Sequence, residues 1–217
     1  MTKSSLFFLI CIASLGCVSS AFAAGNVAAG KSKAATCAGC HGEDGNSMAP
    51  IFPRLAGQNE SFLVRELTDF KGHLRSDPSM EAFASALSEQ DIQDLSAYFA
   101  NQKAIVVKAS DDEYVDEDEE IPVTRELIAQ GEILFLAGNE KTDVPACTGC
   151  HGPSGSGNPS AGFPKLKGQF IPYLVKSLND FREDNRTNDE GGMMRTITKK
   201  MSKAEINSVS AYISRLR

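Results

Sequence analysis

The sequence has no tryptophan, and aromatic residues make up only 7% of its 217 residues. A small domain with so few aromatics has a thin core and needs apolar bulk from elsewhere. Histidine is also scarce, with three copies, of which only His73 stands apart from a cysteine. That argues against a zinc module, which needs a second ligand pair at close spacing. No alternating apolar–polar strand pattern is visible, so a thioredoxin-like βαβ context for a CxxC pair is missing. The one long apolar run, "LFFLICIASLGCV" from Leu6 to Val18, is too short to span a bilayer comfortably. Free cysteine is missing too. Cys11 and Cys17 lie in that N-terminal run, and the other four cysteines all fall inside two short motifs. None is left for a disulfide or a catalytic thiol.

Those motifs organise the chain. "CAGCH" spans Cys37 to His41 and "CTGCH" spans Cys147 to His151. C-x-x-C-H is the attachment pattern of a c-type haem. Two thiols three residues apart reach the two vinyl groups on one porphyrin edge. The adjacent histidine then meets the iron as proximal ligand. Cys37, Cys40, Cys147 and Cys150 are therefore read as thioether anchors of two covalent haem c groups, with His41 and His151 as axial ligands.

The N-terminus reads as a secretory signal peptide, residues 1–23. It has Lys3, the apolar run and a small-x-small site at Ala21-Phe22-Ala23. A retained anchor and a lipid-modified Cys17 are the competing readings. In bacteria c-type haem is attached outside the cytoplasmic membrane, so signal and motifs agree on the periplasm.

An internal repeat covers the rest. "FPRLAGQ" (Phe52–Gln58) returns as "FPKLKGQ" (Phe163–Gln169), and "FLVRELTDF" (Phe62–Phe70) as "YLVKSLNDF" (Tyr173–Phe181). "LSEQDIQDLSAYF" from Leu87 returns as "MSKAEINSVSAYI" from Met201. Two tandem domains are expected, 24–103 and 122–217. Each should be all-α, with one helix entering the haem motif, one in the middle and one at the end. Asn59, Ser88 and Ser202 are the expected N-caps, the last forming a capping box with Glu205. Gly30 and Gly131 sit inside first helices, where glycine costs about 1 kcal/mol relative to alanine. A close crossing by the terminal helix, near Tyr98 or Tyr212, would offset that cost.

Between the domains, residues 104–121 hold eight acids and one base. Such a run resists burial and reads as an extended, solvated linker. Domain one carries 7 bases against 10 acids and domain two 13 against 10, a split of −3, −7 and +3 along the chain.

A six-coordinate haem needs a distal ligand, and methionine is a usual one. In domain one the candidates are Met48, Met80 and His73. Met48 follows His41 too closely to reach the opposite face, whereas Met80 lies past the middle helix. In domain two the repeat chooses between Met193 and Met194. Met80 precedes Leu87-Ser88 by seven residues, and the same count back from Met201 gives Met194. The extra residues then fall at Gly191-Gly192, which tolerate a loop. Pro53 and Pro164 are placed to offer a carbonyl to the ring N–H of His41 or His151. Arg54, Lys165, Arg75 and Arg186 are candidate propionate partners.

With the signal peptide, "FPRLAGQ", "RTNDEGGMM" and the terminal "SAYI" helix in the same doubled order, the chain resembles the dihaem cytochrome c4 family. The resemblance covers essentially the whole mature chain and implies two class I cytochrome c domains about a pseudo-twofold axis. It implies a periplasmic electron carrier, often membrane-associated, that feeds a terminal oxidase, with a quinol-oxidising complex as donor and no nucleic acid partner. It implies Cys37, Cys40, His41 and Met80 on one haem, and Cys147, Cys150, His151 and Met193 or Met194 on the other. The competing functions are a dihaem enzyme of peroxidase or thiosulfate dehydrogenase type, and a haem subunit of a larger redox complex. The acidic linker departs from the family pattern.

Overall fold

The computed structural model describes residues 24–105, 114–116 and 121–217; the proposed signal peptide and most of the acidic linker lie outside them. The first half runs α1 (Val27–Lys33), a short 3₁₀ turn, α2 (Ala38–His41), α3 (Glu60–Lys71), α4 (Pro78–Ser85) and α5 (Glu89–Ala100). A two-stranded ribbon follows, β1 (Tyr114–Asp116) against β2 (Ile121–Pro122), antiparallel with a bulge. The second half runs α6 (Arg125–Ala137), α7 (Thr148–His151), α8 (Ile171–Arg182), α9 (Met193–Thr198) and α10 (Lys203–Ile213). Apart from this short ribbon the described fold is all-α, as expected. The ribbon lies at the end of the acidic stretch, next to the start of domain two.

The halves share one frame: the first helix of each domain crosses the last. At Gly30 an added Cβ would lie 2.0 Å from the Asp94 carbonyl oxygen, and at Gly131 1.9 Å from that of Ser208. The same Cβ atoms would meet the Cβ of Tyr98 and of Tyr212. Only glycine permits backbones this close, so both interior glycines are explained by packing.

Local signals place the remaining helices. Ser88 with Asp91, and Ser202 with Glu205, form complete capping boxes at α5 and α10. Asn59 stands at the N-cap position of α3 but makes no capping bond. Its amide reaches across to the Phe163 carbonyl at 2.6 Å, so the interface has taken the side chain away from the cap. The apolar clusters are local to each domain. Leu63, Leu95, Tyr98 and Phe99 are buried in the first, and Leu134, Phe135, Leu174, Ile206 and Val209 in the second.

The domains pack against each other through reciprocal bonds. The Gln58 amide donates to the Lys165 carbonyl (2.9 Å) and its oxygen accepts from the Lys165 N–H (2.8 Å). The Gln169 amide does the same to Arg54, at 3.1 and 3.0 Å. Gln58 and Gln169 match in the repeat, as do Arg54 and Lys165, so the contact has pseudo-twofold symmetry. The acidic linker does not prevent the domains from meeting.

Candidate haem sites

Each CxxCH motif forms one short helical turn that ends on its histidine, α2 or α7. The turn brings the thiols and the imidazole to one side of the chain. The four motif cysteines are half-buried. Burial pushes the Cys37 thiol up, and that of Cys147 to about 11.

His41 and His151 are buried, each 7% exposed. His41 Nδ1 lies 2.9 Å from the Pro53 carbonyl oxygen, and His151 Nδ1 lies 3.1 Å from that of Pro164. A carbonyl only accepts, so Nδ1 carries the proton and Nε2 keeps its lone pair for a metal. Burial also holds both imidazoles below their ordinary pKa, so they remain neutral ligands. The proline carbonyls anticipated from the sequence do orient both rings. Two thiols beside a neutral, oriented imidazole are the donor set a haem c requires, and the residues fit that group. Among the described residues no cluster of three or more His, Cys, Asp or Glu could hold another metal ion.

The distal candidates separate by exposure. Met48 is 79% exposed, on a tip held by the buried Ser47, whose hydroxyl donates to the Cys40 carbonyl at 3.1 Å. His73 is exposed, has φ 57°, and bonds Glu81 through Nδ1 at 2.9 Å. Met80 is half-buried near the start of α4. Asp77 caps that helix and accepts the backbone N–H of Met80 itself at 3.0 Å. In domain two Met193 is 42% exposed and Met194 half-buried. Gly191 and Gly192 take left-handed conformations just before α9 and absorb the extra residues of the repeat. Asp189 accepts the backbone N–H of Arg195 at 2.9 Å and its Nε–H at 2.7 Å, fixing the turn beside Met194.

The four propionate candidates all lie where the domains meet. Arg54 stacks over Phe170, 3.9 Å from its ring centre, and donates to the Gly168 carbonyl. Lys165 donates to the Ala56 carbonyl at 3.2 Å. Arg75 and Arg186 converge on Glu66, a residue the sequence reading passed over. Asp77 was passed over as well, although Asp followed by Pro at the first helical position is a start signal.

The Cytochrome c family model matches residues 27–103 and again 128–217. Cytochrome c4 of Pseudomonas aeruginosa is 46% identical over 203 residues, covering 93% of this chain and 94% of the relative. The solved structure of reduced cytochrome c4 from Pseudomonas stutzeri aligns with a TM-score of 0.79 at 43% identity, over 89% of this chain and all of that one. A protein of Stutzerimonas stutzeri (strain A1501) named "Thiosulfate dehydrogenase electron acceptor" is 35% identical, covering 83% of this chain and 79% of that one. Paired haem motifs on a doubled helical frame and these likenesses lead to one conclusion: the chain belongs to the cytochrome c4 family, dihaem c-type electron carriers with two covalently bound haem c groups.

Proposed function

We propose that this protein is a periplasmic carrier that takes electrons from a quinol-oxidising complex and delivers them to a terminal oxidase. The haem iron supplies the chemistry when bound, cycling by one electron. The chain's part is to hold it. Cys37 and Cys40, with Cys147 and Cys150, anchor the two groups. His41 and His151 are the proximal ligands, and Met80 and Met194 are the distal ones. The units are a signal peptide at 1–23, domains at 24–103 and 122–217, and a linker at 104–121. Attachment to the membrane surface is peripheral, and no described helix is long and apolar enough to cross a bilayer.

One observation carries the carrier reading over an enzymatic one. Each domain offers a half-buried methionine near a helix start, Met80 with its backbone N–H on Asp77 and Met194 beside Arg195, which Asp189 holds, in addition to its oriented histidine. With His41 and Met80, and His151 and Met194, holding the two groups, neither iron would be open to substrate. Soret spectra of the reduced holoprotein with carbon monoxide at neutral pH test this, together with peroxidase turnover. Negligible binding and turnover are expected. Stoichiometric binding at either haem would favour a dihaem enzyme.

The relative named as an electron acceptor for thiosulfate dehydrogenase supports a second donor. In that pairing this chain would stand on the carrier side, and reduction by a thiosulfate dehydrogenase with thiosulfate is the test.

A further inference from the structure

Among the described residues, the most densely connected buried charge lies on the boundary between the domains. Glu66, on α3, is buried. A single oxygen, Oε2, accepts from Arg75 Nη1 at 2.6 Å, from Arg186 Nη2 at 2.9 Å and from Asn188 Nδ2 at 3.1 Å. Arg75 belongs to domain one; Arg186 and Asn188 belong to domain two. Arg75 also donates to the hydroxyl of the half-buried Tyr173 at 3.2 Å. The Asn188 amide bridges on to Asp69 at 2.7 Å. Each guanidinium lies over a phenyl ring of its own domain, Arg75 over Phe70 at 4.6 Å and Arg186 over Phe181 at 4.4 Å.

The repeat shows what is unusual here. Arg75 and Arg186 are counterparts, and so are Phe70 and Phe181. Glu66 has no acidic counterpart, since Ser177 stands at its repeat position in "YLVKSLNDF". Two equivalent arginines therefore meet one carboxylate that the repeat does not duplicate, with Arg65 3.9 Å from its other oxygen and the buried Asp69 beside it. Burial alone would raise the Glu66 carboxyl, but the charges of Arg186 and Arg75 outweigh it and hold it ionised. Each guanidinium has five N–H donors. Arg75 and Arg186 each spend two of them on the partners above. The arginines precede Met80 and Met194 by five and eight residues. Each thus stands on the segment leading to its own domain's distal methionine. A haem c carries two propionates, and a guanidinium fork matches a carboxylate.

Resting on the two-haem carrier reading, we propose that Glu66 is a positioning residue coupling the two redox sites. It holds Arg75 and Arg186 together across the boundary, so that one charge on domain one sets the electrostatic environment of both haems. Burial makes the effect long-ranged and weakly screened, because the interior has a low effective dielectric constant and excludes salt.

The test is a spectroelectrochemical titration of holoprotein carrying Glu66→Gln, which keeps the shape and removes the charge. Both potentials should rise. Electron affinity should gain on the order of tenfold at each haem, ~59 mV for a one-electron couple. The gain should persist in high salt. A purely structural loosening of the interface would wet the haems and lower their potentials, so the sign separates the two roles. Arg186→Gln should lower both potentials, including that of domain one, although Arg186 lies in domain two. Glu66→Asp, which keeps the charge, should restore most of the wild-type values. A shift confined to one haem, no shift, or a fall in Glu66→Gln would overturn the proposal. If Glu66→Gln does not fold, a single-haem response to Arg186→Gln overturns it equally. Failure of the carrier reading would show separately, as carbon monoxide binding by the wild-type protein.

Discussion

The two domains build the same crossing of first and last helices, but they brace it differently. In domain one Lys33 sits between Asp91 and Asp94, 2.6 Å from each, and Asp94 also accepts the Asn26 N–H. Counting from the matched glycines, Leu134 replaces Lys33 in domain two, where it is buried in a larger apolar cluster. Glu205 there turns to Asn139 and Thr142 instead of to a lysine. The approach to the haem motif differs too. Gly30 precedes His41 by eleven residues, whereas Gly131 precedes His151 by twenty. The added loop closes through the Asn139–Val144 bridge. What both halves share is the CxxCH turn with its oriented histidine, the helix crossing, the capping boxes and the reciprocal glutamine bonds. What differs is the bracing around the crossing: an ion-paired clamp in one domain and apolar burial in the other.

The comparison can be broken most severely at the crossing itself. Gly30→Ala and Gly131→Ala each put a methyl group inside a backbone carbonyl's contact distance. Overpacking of this kind costs ~3 kcal/mol, well above the ~1 kcal/mol that alanine gains in helix propensity. Thermal melts of the holoprotein should show comparable losses for both. A loss in only one domain would mean that the two crossings are not equivalent.

Smaller effects are expected at the reciprocal interface bonds. Gln58→Ala and Gln169→Ala each leave a backbone N–H and carbonyl of the opposite domain without their partner. The cost should be about 1–3 kcal/mol each. Urea titration of both variants should give similar values, and a large inequality would argue against the pseudo-twofold contact.

The smallest effect should separate the domains by pH. Lys33 holds the carboxyls of Asp91 and Asp94 below their ordinary range. Their contribution is therefore complete above the unfolded aspartate pKa of ~3.9 and is lost as pH falls below it. Lys33 is partly exposed, so solvent screening keeps the clamp's contribution small. Lys33→Ala should lower the stability of domain one near neutral pH and flatten its acid limb, leaving domain two unchanged. Hydrogen exchange resolved by domain reads this directly.

Much of this was legible in the sequence, because the chain is written twice. The CxxCH spacing, the capping boxes and the interior glycines are local signals, and a second copy turns each into a test. The proline carbonyls were legible because a ligating histidine needs its second nitrogen fixed. Other features depend on what the domains do to each other. Asn59 reads as a cap until the Phe163 carbonyl claims its side chain. Glu66 reads as a solvated helix residue until Arg186 arrives from 120 positions away.

The central claim is that each domain supplies one histidine and one methionine to its own haem, through matched positions of the repeat. Near-infrared magnetic circular dichroism of the oxidised protein tests it most directly, through the sulfur-to-iron charge-transfer band. Met80→Ala should abolish the band of the first haem and Met194→Ala that of the second, each lowering the corresponding potential. Met193→Ala should leave both bands in place. Loss of the second band in Met193→Ala with its retention in Met194→Ala would contradict the account, by showing that the two halves do not match where they meet the iron.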